Sequence, residues 1–344
     1  MKRRGSKVRS AWWVGVLAAA SALTLAGCMT QSTLHVIGLP SIGISVPLRL
    51  TACTTSGSCI AVGTTGSSTT PSSVGEYRES NGVWNSLAVP AAPSSLITSA
   101  SCLSTQCLIG GLSPTGNLLW TYNASSQSVI PLDTLRAGQG IRSLSCFGIS
   151  SCVAIVAGGV AAASTISFSA DAGTSWSTPV ALTWSKGDTV SALTCTSSLD
   201  CIATATTGTN SVVVERSRDG GNTWVSRATR VAWTNLTWLS CHGLVCNALA
   251  TTSSKTYVVR TKNFGRTWLE NSLPAQGNAL ACASINKCVV VGQKRNDSPW
   301  FATSDDLQLT VATLKYVPSP LLAVACAKTV CTALGVSTVL AYRF

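Results

Sequence analysis

Charged side chains are scarce in this 344-residue sequence, which has 12 Asp plus Glu, 24 Lys plus Arg and two His. So few acids and histidines leave little material for acid–base catalysis or for metal ligation by imidazole. Apolar residues nevertheless make up 46% of the chain, which excludes a disordered tail and is enough for a sizeable core. Fifteen cysteines argue against a reducing, cytosolic location.

The amino terminus has the pattern of an export signal. Five basic residues within the first ten are followed by one apolar run, residues 11–27, that is shorter than a typical membrane-spanning helix. The run ends in Leu25-Ala26-Gly27-Cys28, which resembles the lipobox of bacterial lipoproteins. The resemblance implies that residues 1–27 are removed through the general secretion route and that Cys28 carries fatty acids such as palmitate.

We therefore expect an extracytoplasmic protein, anchored to a membrane by the lipid on Cys28, with residues 28–31 as a short tether. A plain cleaved signal and an uncleaved anchor are the alternatives. Without the signal the chain keeps 19 of its 24 basic residues against 12 acidic ones, and the basic residues are scattered singly. This pattern speaks against nucleic acid as a partner and favours mild attraction to an anionic envelope surface or polysaccharide.

The other fourteen cysteines fall into seven local pairs that begin 41 to 49 residues apart, a period typical of propeller blades. The pairs are Cys53/Cys59, Cys102/Cys107, Cys146/Cys152, Cys195/Cys201, Cys241/Cys246, Cys282/Cys288 and Cys326/Cys331. A strand-like apolar run follows each second cysteine, so each pair is predicted to join the two strands of its own β-hairpin as a disulfide. Metal ligation is the alternative, but zinc sites use closer cysteine pairs or histidines, and we expect no metal and no cofactor.

A second motif follows in several units and resembles the Asp-box, S-x-D-x-G-x-T-W. Two good copies are Ser169-x-Asp171-x-Gly173-x-x-Trp176 and Ser217-x-Asp219-x-Gly221-x-x-Trp224. A relaxed copy contains Asn263, Gly265 and Trp268, and a degraded one begins at Thr303 with Thr310 in the Trp position. The resemblance implies a structural turn, in which Asp and Ser bond to backbone, Gly supplies an unusual backbone angle and Trp fills space between sheets.

A hairpin and an Asp-box hairpin give four strands per unit, so the sequence predicts an all-β fold, a seven-bladed β-propeller over residues 32–344. A spare strand near residues 33–39 is expected to complete the last blade and close the ring. We expect a monomer.

Longer connections are predicted on the side of the propeller opposite the disulfide turns, where loops on a rigid scaffold often bind ligands. The candidate binding residues there are Arg136, Trp184, Arg230, Trp233, Lys294, Arg295 and Trp300. Such groups stack on sugars or pair with anions. The alternative for each is structural, with Trp covering a neighbouring blade and cations left in solvent.

Asp-boxes on an exported propeller resemble the sialidase superfamily, but no Arg here is followed by Ile-Pro and no catalytic residue can be transferred. Only four acids are predicted on the candidate binding face for a glycosidase pair: Asp133, Asp188, Glu270 and Asp297. The chain is also similar to non-enzymatic propellers such as photosystem II assembly factors. We expect a non-catalytic binding or scaffold module for a protein or glycan at the cell surface, with a sialidase-like glycoside hydrolase as the alternative.

Overall fold

A computed structural model describes residues 33–38, 48–65, 72–78, 83–90, 95–113, 116–132, 140–158, 163–182, 184, 188–229, 232–312, 314, 317, 319–336 and 338–344. All of these belong to one compact unit, Ser32–Phe344. The signal and tether, with Cys28, and the candidates Asp133, Arg136 and Arg230 lie outside the described residues. Within the described part of the chain, no helix has the length and apolar character needed to cross a bilayer.

The described strands form seven four-stranded sheets, numbered here in chain order, and every pair of neighbouring strands is antiparallel. Strand β1 (Thr33–Gly38) belongs to the last of them. Sheet 1 contains β2 (Leu50–Cys53), β3 (Cys59–Thr65), β4 (Ser72–Arg78) and β5 (Trp84–Leu87). Sheet 2 contains β6 (Leu96–Cys102), β7 (Gln106–Ser113), β8 (Gly116–Asn123) and β9 (Ser128–Pro131). Sheet 3 contains β10 (Ile141–Phe147), β11 (Ser151–Val156), β12 (Thr165–Ser169) and β13 (Val180–Ala181).

The remaining sheets follow the same order. Sheet 4 contains β14 (Thr189–Cys195), β15 (Cys201–Thr206), β16 (Val212–Ser217) and β17 (Val225–Ala228). Sheet 5 contains β18 (Asn235–His242), β19 (Val245–Thr251), β20 (Thr256–Thr261) and β21 (Leu269–Ser272). Sheet 6 contains β22 (Gln276–Cys282), β23 (Lys287–Gln293), β24 (Pro299–Asp305) and β25 (Gln308–Ala312). Sheet 7 contains β26 (Leu321–Ala327), β27 (Val330–Gly335), β28 (Thr338–Arg343) and β1.

The arrangement of the sheets is that of a β-propeller. The first strands of successive sheets pack against each other from β2 to β26, and β26 also packs against β2. Apolar side chains from adjacent sheets meet between them; for example, Ile155 and Ile166 of sheet 3 pack against Val190 and Leu193 of sheet 4. The predicted all-β propeller with four-stranded antiparallel blades is confirmed.

The disulfides join the first two strands of each sheet, as predicted. All seven pairs are bonded, with Cα–Cα distances of 3.9 to 4.1 Å and sequence separations of five or six. The paired cysteines face each other directly in the ladder, as Cys195 and Cys201 do. Each bond closes a loop of six or seven residues, which the chain-entropy model makes worth about 2 kcal/mol.

The disulfides lie deeper than their place beside a turn suggests. The second cysteine of each pair is a core residue, 0 or 1% exposed, because it lies at the start of the second strand, whose side chains are covered on both faces. These buried cysteines are Cys59, Cys107, Cys152, Cys201, Cys246, Cys288 and Cys331. Each belongs to one of the apolar clusters, so the disulfides fill core space as well as joining strands.

The alternation of strand direction divides the turns between two ends of the propeller. The turns between first and second strands, which carry the disulfides, and those between third and fourth strands lie at one end, here called the disulfide end. The turns between second and third strands and the connections between sheets lie at the opposite end. The short turn 124–127, between β8 and β9, therefore lies at the disulfide end.

Candidate functional site

Three turns at the disulfide end share one hydrogen-bond pattern, and they are the three that resemble the Asp-box. In the first, Ser169 Oγ donates to Asp171 Oδ1 at 2.8 Å and accepts from the amide of Gly173 at 2.7 Å. Asp171 also accepts from the amide and the hydroxyl of Ser175 at 2.8 and 2.5 Å. Trp176 Nε1 closes the turn by donating to the carbonyl of Gly173 at 3.0 Å.

The other two turns repeat this geometry. Asp219 accepts from the amide and hydroxyl of Thr223 at 2.9 and 2.5 Å, and Trp224 Nε1 donates to the carbonyl of Gly221 at 2.9 Å. In the third turn Asn263 replaces the aspartate and still accepts from the amide of Thr267 at 2.9 Å. Trp268 differs, because its buried Nε1 has no hydrogen-bond partner.

These hydrogen bonds stabilise the ionised aspartates. The hydroxyl and amide of Thr223 lower the pKa of Asp219 to about 2, and the corresponding groups of Ser175 lower the pKa of Asp171. Both carboxylates are therefore charged acceptors held inside a turn rather than acids placed to transfer protons.

Each of these turns also wedges against the preceding sheet. Gly221 has φ +86°, and a Cβ there would stand 2.8 Å from Phe168 Cζ of sheet 3. A Cβ at Gly173 would likewise clash with Leu108 of sheet 2, and one at Gly265 with Ile202 of sheet 4. Only glycine fits these positions, both for its positive φ and for the contact. The turns thus act as packing elements between sheets.

The degraded copy in sheet 6 does not form such a turn. β24 and β25 are joined by Asp306 and Leu307 alone, both with positive φ, and Asp305 pairs with Gln308. Thr310, expected in the Trp position, lies inside β25 opposite Thr303. The loop is too short to contain the Ser and Asp acceptors.

Two of the predicted binding residues are buried and the prediction for them was wrong. Trp233 is 1% exposed and packs between sheets 4 and 5, where its Nε1 donates to Glu270 Oε2 at 3.2 Å. Trp300 is 2% exposed and lies on β24, packed among Leu249, Leu273 and Leu280. Burying an indole between sheets stabilises the fold more than exposing it, so neither ring is available to a ligand.

The other described candidates differ in position. Trp184 is half-buried and stacks edge-on against Trp224, with ring centroids 5.6 Å apart. Lys294 and Arg295 are exposed in the turn between β23 and β24, at the opposite end, where the amide of Lys294 donates to the carbonyl of Ser298 at 2.8 Å. They are the described members of the predicted binding face that solvent reaches freely.

The acids proposed for a glycosidase pair are dispersed. Glu270 binds Trp233, and Asp297 lies exposed in the same turn as Lys294. Asp188 acts electrostatically on Glu215, which is 1% exposed. Because Glu215 is buried, a sugar could not reach both carboxyl groups of this pair. Within the described residues no group of three or more His, Cys, Asp and Glu side chains is placed to hold a metal ion.

Glu215 is a buried group that the sequence analysis overlooked. It lies on β16 opposite Ser226, and burial raises its pKa, with a smaller contribution from Asp188. In sheet 5 the corresponding cross-strand pair is Val259 and Glu270, so the glutamate is on the third strand in sheet 4 and on the fourth strand in sheet 5. In both sheets a tryptophan, Trp224 or Trp268, lies two residues before the fourth-strand member of the pair. No pattern of spacing in the chain distinguishes this glutamate from an exposed one.

Arg216 lies at the disulfide end, within electrostatic range of three other arginines and of Glu215. Arg216 is 8% exposed, its Nε has no hydrogen-bond partner, and its pKa is lowered first by burial and then by Arg266, Arg227 and Arg218. Arg260 holds the same place one sheet later, but it contacts Asp306 and donates to Asn286 Oδ1 at 2.6 Å. Three arginines and one glutamate thus act on Arg216, whereas Arg260 has a direct ion pair with Asp306.

Comparison with known proteins supports the fold. No family model matches the chain, and no curated protein matches its sequence. A structure described as YCF48 bound to D1 peptide has 17% sequence identity and a TM-score of 0.63, covering 90% of this chain and 97% of its own. Virginiamycin B lyase from Staphylococcus aureus has 10% identity and a TM-score of 0.62, covering 91% and 100%. The Dos1 propeller has 10% identity and a TM-score of 0.58, covering 87% and 92%.

At these identities the similarity establishes the fold alone, and the chain is defined as a β-propeller.

Proposed function

We propose that this protein is an exported, lipid-anchored propeller that binds a protein partner at the opposite end and performs no chemistry of its own. The proposal rests on one observation: four of the described acidic side chains are held in structural hydrogen bonds or buried. Asp171 and Asp219 are bound inside turns, Glu215 is buried and Glu270 holds Trp233. Exposed cations, Lys294 and Arg295, remain for recognition.

The proposal includes one closed ring of seven blades. It is supported by the seven four-stranded sheets, by packing of β26 against β2, and by the pairing of β1 with β28. The proposal also takes the three hydrogen-bonded turns as Asp-boxes, on the strength of their residue types and of the bonds made by Ser169, Asp171 and Trp176.

Lipid attachment at Cys28 rests on the lipobox-like sequence and the number of cysteines. Fourteen of the fifteen are bonded in pairs, which leaves Cys28 as the unpaired thiol that an acylated lipoprotein requires. The mass of the amino-terminal peptide from membrane-extracted protein tests this. We expect an acylated Cys28 as the first residue, and Cys28→Ser protein should no longer be acylated or retained. An unmodified cysteine would contradict the anchor.

A protein partner is favoured over a glycan because YCF48, a propeller with which the chain aligns over 90% of its length, is described as bound to a peptide. A photoreactive residue placed at position 295 in intact cells should cross-link one protein, whereas the same residue at Ser253, in the neighbouring turn, marks how far the interface extends. With the photoreactive residue at Ser253 instead, so that position 295 is free to be changed, the pair Lys294→Glu and Arg295→Glu should abolish any cross-link to that protein. Retention of a polysaccharide instead would indicate a glycan module, and sugar release lost on Asp188→Asn would indicate a hydrolase.

A further inference from the structure

Exposed aliphatic side chains recur at the tips of the disulfide turns. Ile149, Leu199, Leu244 and Ile285 occupy these turns in four successive sheets, 3 to 6, and are 85%, 56%, 49% and 43% exposed. Single exposed apolar side chains are common on protein surfaces, but several gathered on one face mark a surface that contacts another molecule. Their recurrence in adjacent blades makes them neighbours on one face.

The same end holds further exposed apolar residues. Of the ten large hydrophobic side chains that are exposed among the described residues, seven lie at the disulfide end. The other three of these seven begin or precede fourth strands: Val83, Val225 and Leu269.

The chain enters the propeller at this end. Thr33, the first residue of β1, pairs with Arg343. The next residue, Phe344, donates its amide hydrogen to the carbonyl of Thr329, in the disulfide turn of sheet 7. Thr33 follows Cys28 by five residues, and five extended residues span at most about 17 Å. A lipid on Cys28 would hold this end of the propeller close to the bilayer.

Cations at the disulfide end suit an anionic lipid surface. Arg218 and Arg266 are exposed in the turns that follow β16 and β20, beside the buried Arg216. Basic groups near a bilayer are attracted to anionic headgroups. Aliphatic tips next to arginines are also the composition of interfacial membrane-binding surfaces.

We propose that the disulfide end is the membrane-facing surface of this protein, with Ile149, Leu199, Leu244 and Ile285 entering the headgroup region of an anionic phospholipid bilayer. The inference rests on the proposed lipid at Cys28 and adds an orientation to it. The opposite end, with Lys294 and Arg295, then points away from the membrane towards a partner.

Native lysines on the two ends allow a direct test. Lys262 and Lys287 are exposed at the disulfide end, and Lys255 and Lys294 are exposed in turns at the opposite end. Full-length lipidated protein is added to preformed vesicles containing phosphatidylglycerol and labelled with a small and with a bulky amine reagent. Compared with the same protein without vesicles, we expect the ratio of bulky to small labelling to fall at least threefold at Lys262 and Lys287. The ratio should not change at Lys255 and Lys294.

Variants connect the protection to the apolar tips. Ile149→Ser with Leu244→Ser should restore bulky labelling at the disulfide end, whereas Leu96→Ser, an exposed residue at the opposite end, should not. Vesicles without anionic lipid should give weaker protection. Equal labelling of both ends by acylated protein would overturn the orientation alone, and absence of acylation would overturn the anchor. Protection in cells but not on vesicles would identify a protein, not lipid, as the occupant and would also overturn the proposal.

Discussion

The side chain of Ser145 joins two blades, because its Oγ accepts a hydrogen bond of 2.9 Å from the backbone amide of Cys195 in the next sheet. The same bond runs from Cys146 to Ser101 at 2.8 Å and from Cys282 to Ser240 at 3.2 Å. In each case the acceptor is the residue before the first cysteine of the preceding sheet. The small residue that recurs at this point of the sequence therefore has an energetic role where it is serine.

Ser145→Ala should lower the free energy of unfolding by about 1–2 kcal/mol, because the buried amide of Cys195 loses its acceptor. Alanine itself fits the position, since Ala52, Ala281 and Ala325 occupy it in other sheets. Urea unfolding without reductant measures the change, and Ser125→Ala on an exposed turn is the matched control. Equal stabilities of the two variants would contradict the role of this bond.

Gly221→Ala should destabilise the protein by about 2–4 kcal/mol, through positive φ and through the clash with Phe168. Gly148 also has positive φ, +64°, but nothing lies within 4 Å of a Cβ placed there. Gly148→Ala should therefore cost only about 1 kcal/mol, the backbone contribution. Similar unfolding energies for the two variants would show that the turn does not wedge between sheets 3 and 4.

Asp219 should make part of the stability dependent on acid. Its pKa in the folded protein is about 2, below the ordinary value of 3.8, so the ionised form stabilises the fold above pH 4 and this contribution disappears as the pH falls towards 2. Asp219→Asn should flatten the decline of melting temperature between pH 4 and 2. Asp297→Asn, at an exposed turn, is the control. If the melting temperature of Asp219→Asn protein fell between pH 4 and 2 as steeply as that of the unchanged protein, ionised Asp219 would not stabilise the fold.

Glu215 should act in the opposite direction. Burial raises its pKa above the ordinary value of 4.5, so its ionisation destabilises the fold as the pH rises above that value. Glu215→Gln should therefore raise the melting temperature at pH 8 and change it little at pH 4. Thermal unfolding at the two pH values checks this. A larger rise of the melting temperature at pH 4 than at pH 8 would contradict a destabilising effect of ionised Glu215.

Much of the architecture follows from the sequence because it depends on local chemistry. Cysteines five or six residues apart, each pair followed by an apolar run, predict a hairpin almost unambiguously. The residues that resemble the Asp-box specify their turn through hydrogen bonds within eight residues. The roles of Trp233 and Trp300 did not follow, since an indole serves equally on a surface or between sheets. Which role applies depends on neighbours more than thirty residues away, such as Glu270 for Trp233.

The surface at the disulfide end was overlooked for a similar reason. Short turns with disulfides look purely structural in a sequence, whereas longer loops, such as those at the opposite end, are the usual sites of binding. Single aliphatic residues such as Ile149 and Leu244 carry no signal in the chain. They become a pattern only when the strand directions place them on one end of adjacent blades.

The short separation of the bonded cysteines bears on how the protein matures. Every disulfide joins residues five or six positions apart, so on the proposed export route each one can form as soon as its own hairpin has left the translocation channel. Oxidation in order of emergence thus yields the native connectivity, without the reshuffling that fourteen thiols distributed over long distances would demand. In the proposed extracytoplasmic location, disulfide formation should therefore depend on an oxidant and hardly at all on an isomerase.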